Sequence, residues 1–242
     1  MYAPEIDGRG RRKTPMPINH CHAPTLTCPP LDGVAPCPAA TLESCDGEKF
    51  RATAAIVGGF PAAVCPDSRA AAQYNAALRI QEAAALKAWA VDGGYLLDGA
   101  EFERRWREQG EMGGSENCIY YDEATGRVWK RNRIDVFHLS WRQFFDRLLL
   151  HSLYFPEAPL RFEGVVEHEG QLDGVLSQPD IVASRGAWRS ETEAMMAKRE
   201  FIRRSGDDYG DERLKVEDLH SGNVLVAEDG GLLVVDPVIY PR

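Results

Sequence analysis

The chain has 242 residues, 44% of them hydrophobic and 27% charged, ordinary proportions for one large or two small globular cores. Its net charge of −9 argues against a general nucleic-acid grip, which needs a dominant positive surface, although a local basic patch is still allowed. No apolar run reaches the ~20 residues of a membrane-spanning helix. Arg9, Arg11, Arg12 and Lys13 lead into Pro and His rather than an apolar stretch, so no signal peptide is evident and a cytoplasmic location is expected.

Residues 1–66 are rich in Pro, Ala, Cys and Thr, and Pro24, Pro29, Pro30, Pro36 and Pro38 break any regular element, so a poorly ordered arm is expected. Ala54-Ala55-Ile56-Val57 could form a short strand that docks elsewhere. Five of the six cysteines (Cys21, Cys28, Cys37, Cys45, Cys65) lie here, and His20 and His22 flank Cys21. A zinc site is conceivable, but no C-x-x-C pair fixes two ligands on one turn, so reduced cysteines are the favoured reading.

Residues 67–110 are expected to form a helical hairpin. Asp67 or Ser68 caps a first helix whose inward face carries Tyr74, Leu78, Ala85 and Trp89, and Gly93-Gly94 stops it. Asp98 caps a second helix with Phe102 and Trp106 one turn apart, ended by Gly110. Arg104, Arg105 and Arg107 on that helix read as a solvated face before they read as a nucleic-acid contact.

Residues 111–242 carry the chemistry. Gly113-Gly114-Ser115 precedes the β-prone run Cys118-Ile119-Tyr120-Tyr121, and a turn over Asp122 to Gly126 returns the chain through Arg127-Val128-Trp129-Lys130. Glycines before a strand let backbone N–H groups approach phosphate oxygens, though alone they could be a linker turn. Ser140 to Phe155 reads as an amphipathic helix with Phe144, Phe145, Leu148 and Leu149 inward. Val175 to Pro179 reads as a strand, and Glu191 to Arg204 as a helix with Met195 and Met196 as core filler. Between Pro179 and Asp218 there is room for one helix and one strand.

Near the end stand Asp218, Asn223 five residues later and Asp236 eighteen after Asp218. Val224-Leu225-Val226 and Leu232 to Val235 flank the acidic-Gly turn Glu228-Asp229-Gly230-Gly231, which predicts a β-hairpin. Asn223 then sits at the mouth of one strand and Asp236 at the mouth of its partner, where both could reach one oxygen-loving cation such as Mg²⁺.

Asp218-Leu219-His220 followed by Asn223, a hairpin and Asp236 resembles the catalytic loop and metal-binding Asp of the protein-kinase-like superfamily, in the style of aminoglycoside phosphotransferases. The closer resemblance is to the kinase-like domain of polyvalent proteins from phages and mobile elements. It runs through Gly113 to Asn117, Arg127 to Lys130, Leu148 to His151, Arg161 to Gly164, Leu176 to Pro179 and Val235 to Tyr240.

That resemblance implies an α+β, reduced bilobal fold and two cofactors, ATP and Mg²⁺. It implies that Asp218 accepts the proton of the attacking hydroxyl, and that Lys130 pairs with the nucleotide phosphates rather than being an ordinary exposed lysine. Gly113, Gly114 and Ser115 would cradle the phosphates, the backbone of Ser177 and Gln178 would meet the adenine edge, and Asn223 and Asp236 would hold the metal. His220 would steady the loop or act as a second base. The helix over 140–155 offers Lys130 no Glu, only Gln143 and Asp146 as substitutes, so Glu163 becomes a candidate partner for the lysine, with a hydrogen-bonded structural carboxylate as its equal alternative. Glu217, just before the Asp, reads as a solvent-facing strand residue.

The expected partners are a nucleotide and a hydroxyl acceptor on a protein or small molecule, with the N-terminal helices or a partner protein completing a short acceptor platform. A nucleotide-binding module without transfer is the alternative, and a hydrolase using Asp218, His220 and Asp236 a third reading.

Overall fold

The computed structural model describes residues 47–63, 68–113, 117–137 and 140–242. The zinc candidates His20 to Cys65, and Gly114 and Ser115 of the glycine-rich run, lie outside the described residues. The chain is α+β, with helices packed on several largely antiparallel sheets.

Helix α1 (Gly47–Gly58) replaces the strand expected at Ala54–Val57. Phe50, Ala54 and Val57 recur at helical spacing and meet one apolar cluster. Thr53, fully buried, donates its hydroxyl to the carbonyls of Lys49 and Phe50, so the buried oxygen is satisfied within the turn.

Helix α2 (Arg69–Gly93) is capped by the Ser68 hydroxyl, which accepts from Ala71 N, and closes on Gly94 in the left-handed region. Its buried stripe is Asn75, Leu78, Glu82, Leu86 and Ala90. That is a face rotated from the expected one, and Tyr74 is exposed.

After β1 (Leu96–Leu97), Asp98 caps α3 (Gly99–Glu108) by accepting from Ala100 N and Glu101 N. Arg104, Arg105 and Arg107 pair with Glu101, Glu108 and Glu103 of the same helix, the solvated face that was expected.

The main sheet comprises β1, β2 (Asn117–Asp122), β3 (Arg127–Asn132), β4 (Arg161–His168) and β5 (Gln171–Pro179), ordered β1-β4-β5-β3-β2. Only the β1–β4 pair is parallel. Short α4 (Ile134–Phe137) leads to α5 (Trp141–Tyr154), capped by Ser140.

Strand alternation, stepped by one residue at the register shift between Phe162 and Gly164, turns Phe162, Val165 and Leu176 toward Trp141, Phe144 and Phe145 of α5, together with Phe50 of α1 and Leu86 of α2. Val166, Val175 and Tyr120 face the other way and meet Phe102 of α3. The sheet therefore lies between α5 on one face and α3 on the other.

The rest of the chain forms two smaller sheets around a second core. They use β6 (Ala183–Gly186), β7 (Ile202–Ser205), β8 (Asp208–Gly210), β9 (Leu214–Glu217), β10 (Val224–Ala227), β11 (Leu232–Val234) and β12 (Val238–Pro241), ordered β11-β10-β6 and β12-β9-β8-β7. Helix α6 (Arg189–Lys198) stops short of the expected Arg204, because Phe201 turns into the core and a strand starts at Ile202. The segment read as one helix and one strand thus holds one helix and four strands. Met195 and Met196 fill the core as expected.

Candidate functional site

Strands β10 and β11 form the predicted hairpin, with Val224 opposite Val234. Asn223 and Val235 flank its open end, and Val235 N donates to Asn223 O at 2.9 Å. The next residue is Asp236, so the hairpin delivers the amide and the carboxylate side by side.

Asn223 organises the loop. Its Nδ2 donates to Asp218 O at 3.0 Å, to Asp218 Oδ2 at 3.1 Å and to Asp236 O at 3.2 Å. With Nδ2 so engaged, the amide oxygen Oδ1 is the atom left to meet a ligand. Asp218 adopts φ 66°, the left-handed region, which few non-glycine residues enter. Such a conformation persists where surrounding bonds hold it, here the double grip of Asn223.

His220 Nδ1 accepts from Gly222 N at 2.9 Å, so the neutral ring carries its proton on Nε2, which lies 3.5 Å from Asp218 Oδ1. The ring is tied into the loop on both sides. Glu217 is not a free solvent-facing residue, because its carboxylate accepts from Tyr240 at 2.7 Å and pairs with Lys215. β12 pairs with β9 through Val238 and Glu217, stapling the loop between two strand pairings.

Across from the loop, Lys130 projects from β3 and is almost fully buried. Its Nζ donates to Val235 O at 3.2 Å and lies 3.7 Å from Asp236 Oδ1. Lys130, Asp236, Asn223 and Asp218 are thus brought into one connected site.

Glu163 does not pair with Lys130. It accepts from Ser177 Oγ at 2.5 Å and lies 3.6 Å from Lys49 Nζ. Ser177 is opposite Trp129 in register while Lys130 is opposite Leu176, so alternation puts the serine on the far face of the sheet. The charge beside Asp146 is Arg142, not Lys130. The side chain that α5 brings toward the lysine is His151. It is fully buried, its Nε2 donates to Val234 O at 3.4 Å, and it feels the Lys130 charge. Desolvation, with that charge second, pushes its pKa down to about 4, so the ring is neutral at physiological pH.

Gly113 adopts φ 128° and pairs with Cys118 as an isolated bridge. A Cβ there would stand 2.1 Å from Asn117 O, so only glycine lets the chain pass this close. Ser177 is paired on both edges, with Trp129 and with Arg161. Gln178 lies one residue past the last β4 partner, on the face that carries Lys130.

Two residues given no role from sequence complete the site. Asn117 Nδ2 donates to Asp236 Oδ2 at 3.3 Å, and Asn132 Nδ2 donates to Asn117 Oδ1 at 3.1 Å. Their sequence signature is weak: Asn132 falls two residues after Lys130 on one strand, hence on the same face.

Among the described residues no group of three or more His, Cys, Asp or Glu gathers to hold a metal. One carboxylate and one amide oxygen are hard donors that fit Mg²⁺, which keeps waters and substrate phosphates for its remaining positions. Beside the loop runs a groove lined by Arg185, Trp188, Arg189 and Asp207 with His220 and Ser221. No helix among the described residues is long and apolar enough to cross a membrane.

No curated protein and no solved structure matches the chain. Residues 79–242, more than half of the chain, match the family described as Serine/Threonine/Tyrosine Kinase found in polyvalent proteins. The span takes in every site residue above and begins inside α2. With the lysine, the loop and the hairpin Asp converging within it, the chain belongs to the kinase-like family of polyvalent proteins.

Proposed function

We propose that the protein is an ATP- and Mg²⁺-dependent phosphotransferase acting on a hydroxyl of a protein or small molecule. The observation that carries this reading is the convergence of Lys130, from the main sheet, on Asp236, from the hairpin, with Asn223 joining Asp236 to Asp218. In this reading the five-stranded sheet with α5 is the nucleotide lobe, and the two small sheets with α6 form a reduced second lobe.

Lys130 would neutralise phosphate oxygens once it leaves Asp236. The backbone at Gln178 would meet the adenine edge, and Gly113 to Ser115 would approach the phosphates. Asn223 and Asp236 would hold the metal, which supplies charge neutralisation at the phosphates being transferred. Asp218, about half exposed, would orient the acceptor hydroxyl and accept its proton, with the acceptor entering from the groove beside His220. His220, bound to Gly222 N, serves as a loop support rather than a second base.

The test is ATP turnover and autophosphorylation by the wild type, Asp218→Ala and Asp236→Ala. Turnover by the wild type that falls at least a hundredfold in both variants is expected. Equal turnover in all three defeats transfer.

A second reading, nucleotide binding without transfer, draws on one feature: Lys130 has Asp236 as its carboxylate partner, and α5 offers it a neutral His151 instead of a Glu. Thermal stabilisation by Mg·ATP with no turnover would favour it, and no ATP binding at all would remove both.

A further inference from the structure

Asp236 presents two carboxylate oxygens, and the structure holds each from a different side. Oδ1 lies 3.7 Å from Lys130 Nζ. Oδ2 accepts from Asn117 Nδ2 at 3.3 Å, a contact between residues 119 apart in the chain. About half of the Asp236 side chain is open to solvent, while Asn117, Asn132 and Lys130 are all nearly fully buried. A ligand-facing carboxylate is therefore gripped from behind by groups that packing fixes.

The orientation of the Asn117 amide follows from its other contact. Asn132 donates Nδ2 to Asn117 Oδ1 at 3.1 Å, which makes that end of Asn117 the acceptor and leaves Nδ2 to donate. Asn117 and Asn132 are directly paired across β2 and β3, so the two amides start from adjacent backbone positions. The Asn117 backbone is the same point that a Cβ on Gly113 would strike. The start of the glycine-rich run and the carboxylate of Asp236 thus share one anchor.

We propose that Asn117, its amide held in one sense by Asn132, is the positioning residue that aims Asp236 at magnesium. This rests on the reading of Asp236 as a metal ligand. Carboxylate ligands need outer partners that fix their orientation, and losing one typically costs about 10- to 100-fold in metal affinity. Lys130 cannot fill this role alone, because the phosphates it is read to bind would draw it away from Oδ1. Asn117, neutral and buried, has no such competitor and stays on Oδ2 in both states. The two asparagines make the sheet, not the loop, the reference frame for the metal.

The test is the dissociation constant of ATP measured calorimetrically on the full chain, once with Mg²⁺ and once with EDTA, for the wild type, Asn117→Ala, Asn132→Ala and Asp236→Ala. The wild type should bind more tightly with Mg²⁺. Asn117→Ala should keep the EDTA affinity within about twofold and lose about tenfold of the Mg²⁺ enhancement. Asn132→Ala, which touches Asn117 and not Asp236, should lose a smaller share in the same direction. It carries the test if Asn117→Ala does not fold.

Wild-type Mg²⁺ enhancement in a folded Asn117→Ala or Asn132→Ala overturns the proposal. So does an equal loss with Mg²⁺ and with EDTA, which marks a merely structural asparagine. An Asp236→Ala that keeps the enhancement overturns instead the assignment of Asp236 to the metal, and a wild type that binds no ATP overturns the nucleotide reading. In either of those cases the inference about Asn117 falls with it.

Discussion

Lys130 and Asp218 belong to one site but are housed in opposite ways. Lys130, Asn117, Asn132 and His151 are nearly fully buried beneath α5 and the main sheet, whereas Asp218, His220 and Asp236 keep about half of their side chains in solvent. The buried side takes its geometry from close packing, which resists displacement. The open side takes its loop geometry from a few hydrogen bonds centred on the Asn223 amide, and its carboxylates stay half exposed, within reach of a ligand. Loss of apolar packing on the first side should therefore register as lost stability, and loss of a carboxylate on the second as lost function.

The most severe way to test that contrast is Phe162→Ala. The ring is almost fully buried and packs against Phe144, Phe145 and Trp89. Its removal should cost about 3–5 kcal/mol in chemical denaturation. A cost near zero would mean that the buried side is not held by its core.

Next in size is a pair of opposed pH effects. Glu82 is fully buried, and Oε2 accepts from Trp141 N at 2.7 Å. Desolvation pushes its pKa up to about 7 from 4.5. The folded chain keeps this proton where the unfolded chain has lost it, so its stabilisation is complete below pH 4.5 and is lost as pH rises to 7. His151 acts in the reverse sense: held down to about 4 from 6.5, it contributes fully above pH 6.5 and loses this as pH falls through 4.

Each slope is ~1.4 kcal/mol per pH unit, and between about pH 4.5 and 6.5 the two oppose each other. Relative to wild type, Glu82→Gln should make stability climb more steeply with pH in that window, and His151→Leu should make it fall more steeply. Parallel profiles for all three proteins would refute both assignments. Asp173, raised to about 6 by burial beside Arg131, adds a slope of the Glu82 sign to every profile and leaves these differences unchanged.

The smallest expected stability change belongs to the open side. Asp218→Asn keeps a side chain that tolerates the left-handed backbone, so stability should stay within ±0.5 kcal/mol of wild type while turnover is lost. A drop of several kcal/mol would make Asp218 a structural residue and erase the distinction between the two sides.

The hairpin, the caps at Ser68 and Asp98, and the grouping of Asn223 with Asp236 were legible because each is settled within a single short element or one hairpin. Lys130 was legible through the order of motifs around it. The Asn117–Asp236 contact was not, since its two ends are joined only when the main sheet meets the hairpin. Glu163 stayed open between lysine partner and structural carboxylate, because a register shift between Phe162 and Gly164 interrupts the alternation that would have placed it; the structure holds it as the latter, on Ser177. Ala54 to Val57 looked like a strand from its β-branched pair, yet Phe50 and Val57, seven residues apart, were already at helical spacing.

The carboxylate of Glu82 also sets where this chain can be cut. A fragment beginning at residue 111, where the motifs begin, would leave Trp141 N at the first turn of α5 without its acceptor, and would strip Leu86 and Ala90 from the core. A fragment beginning at residue 79 would keep Glu82 but sever the first turns of α2 from their Ser68 cap. The piece that can be transplanted whole starts ahead of α1, because Phe50 and Val57 share this core and the first turn of the helix facing the lysine takes a further acceptor from α2.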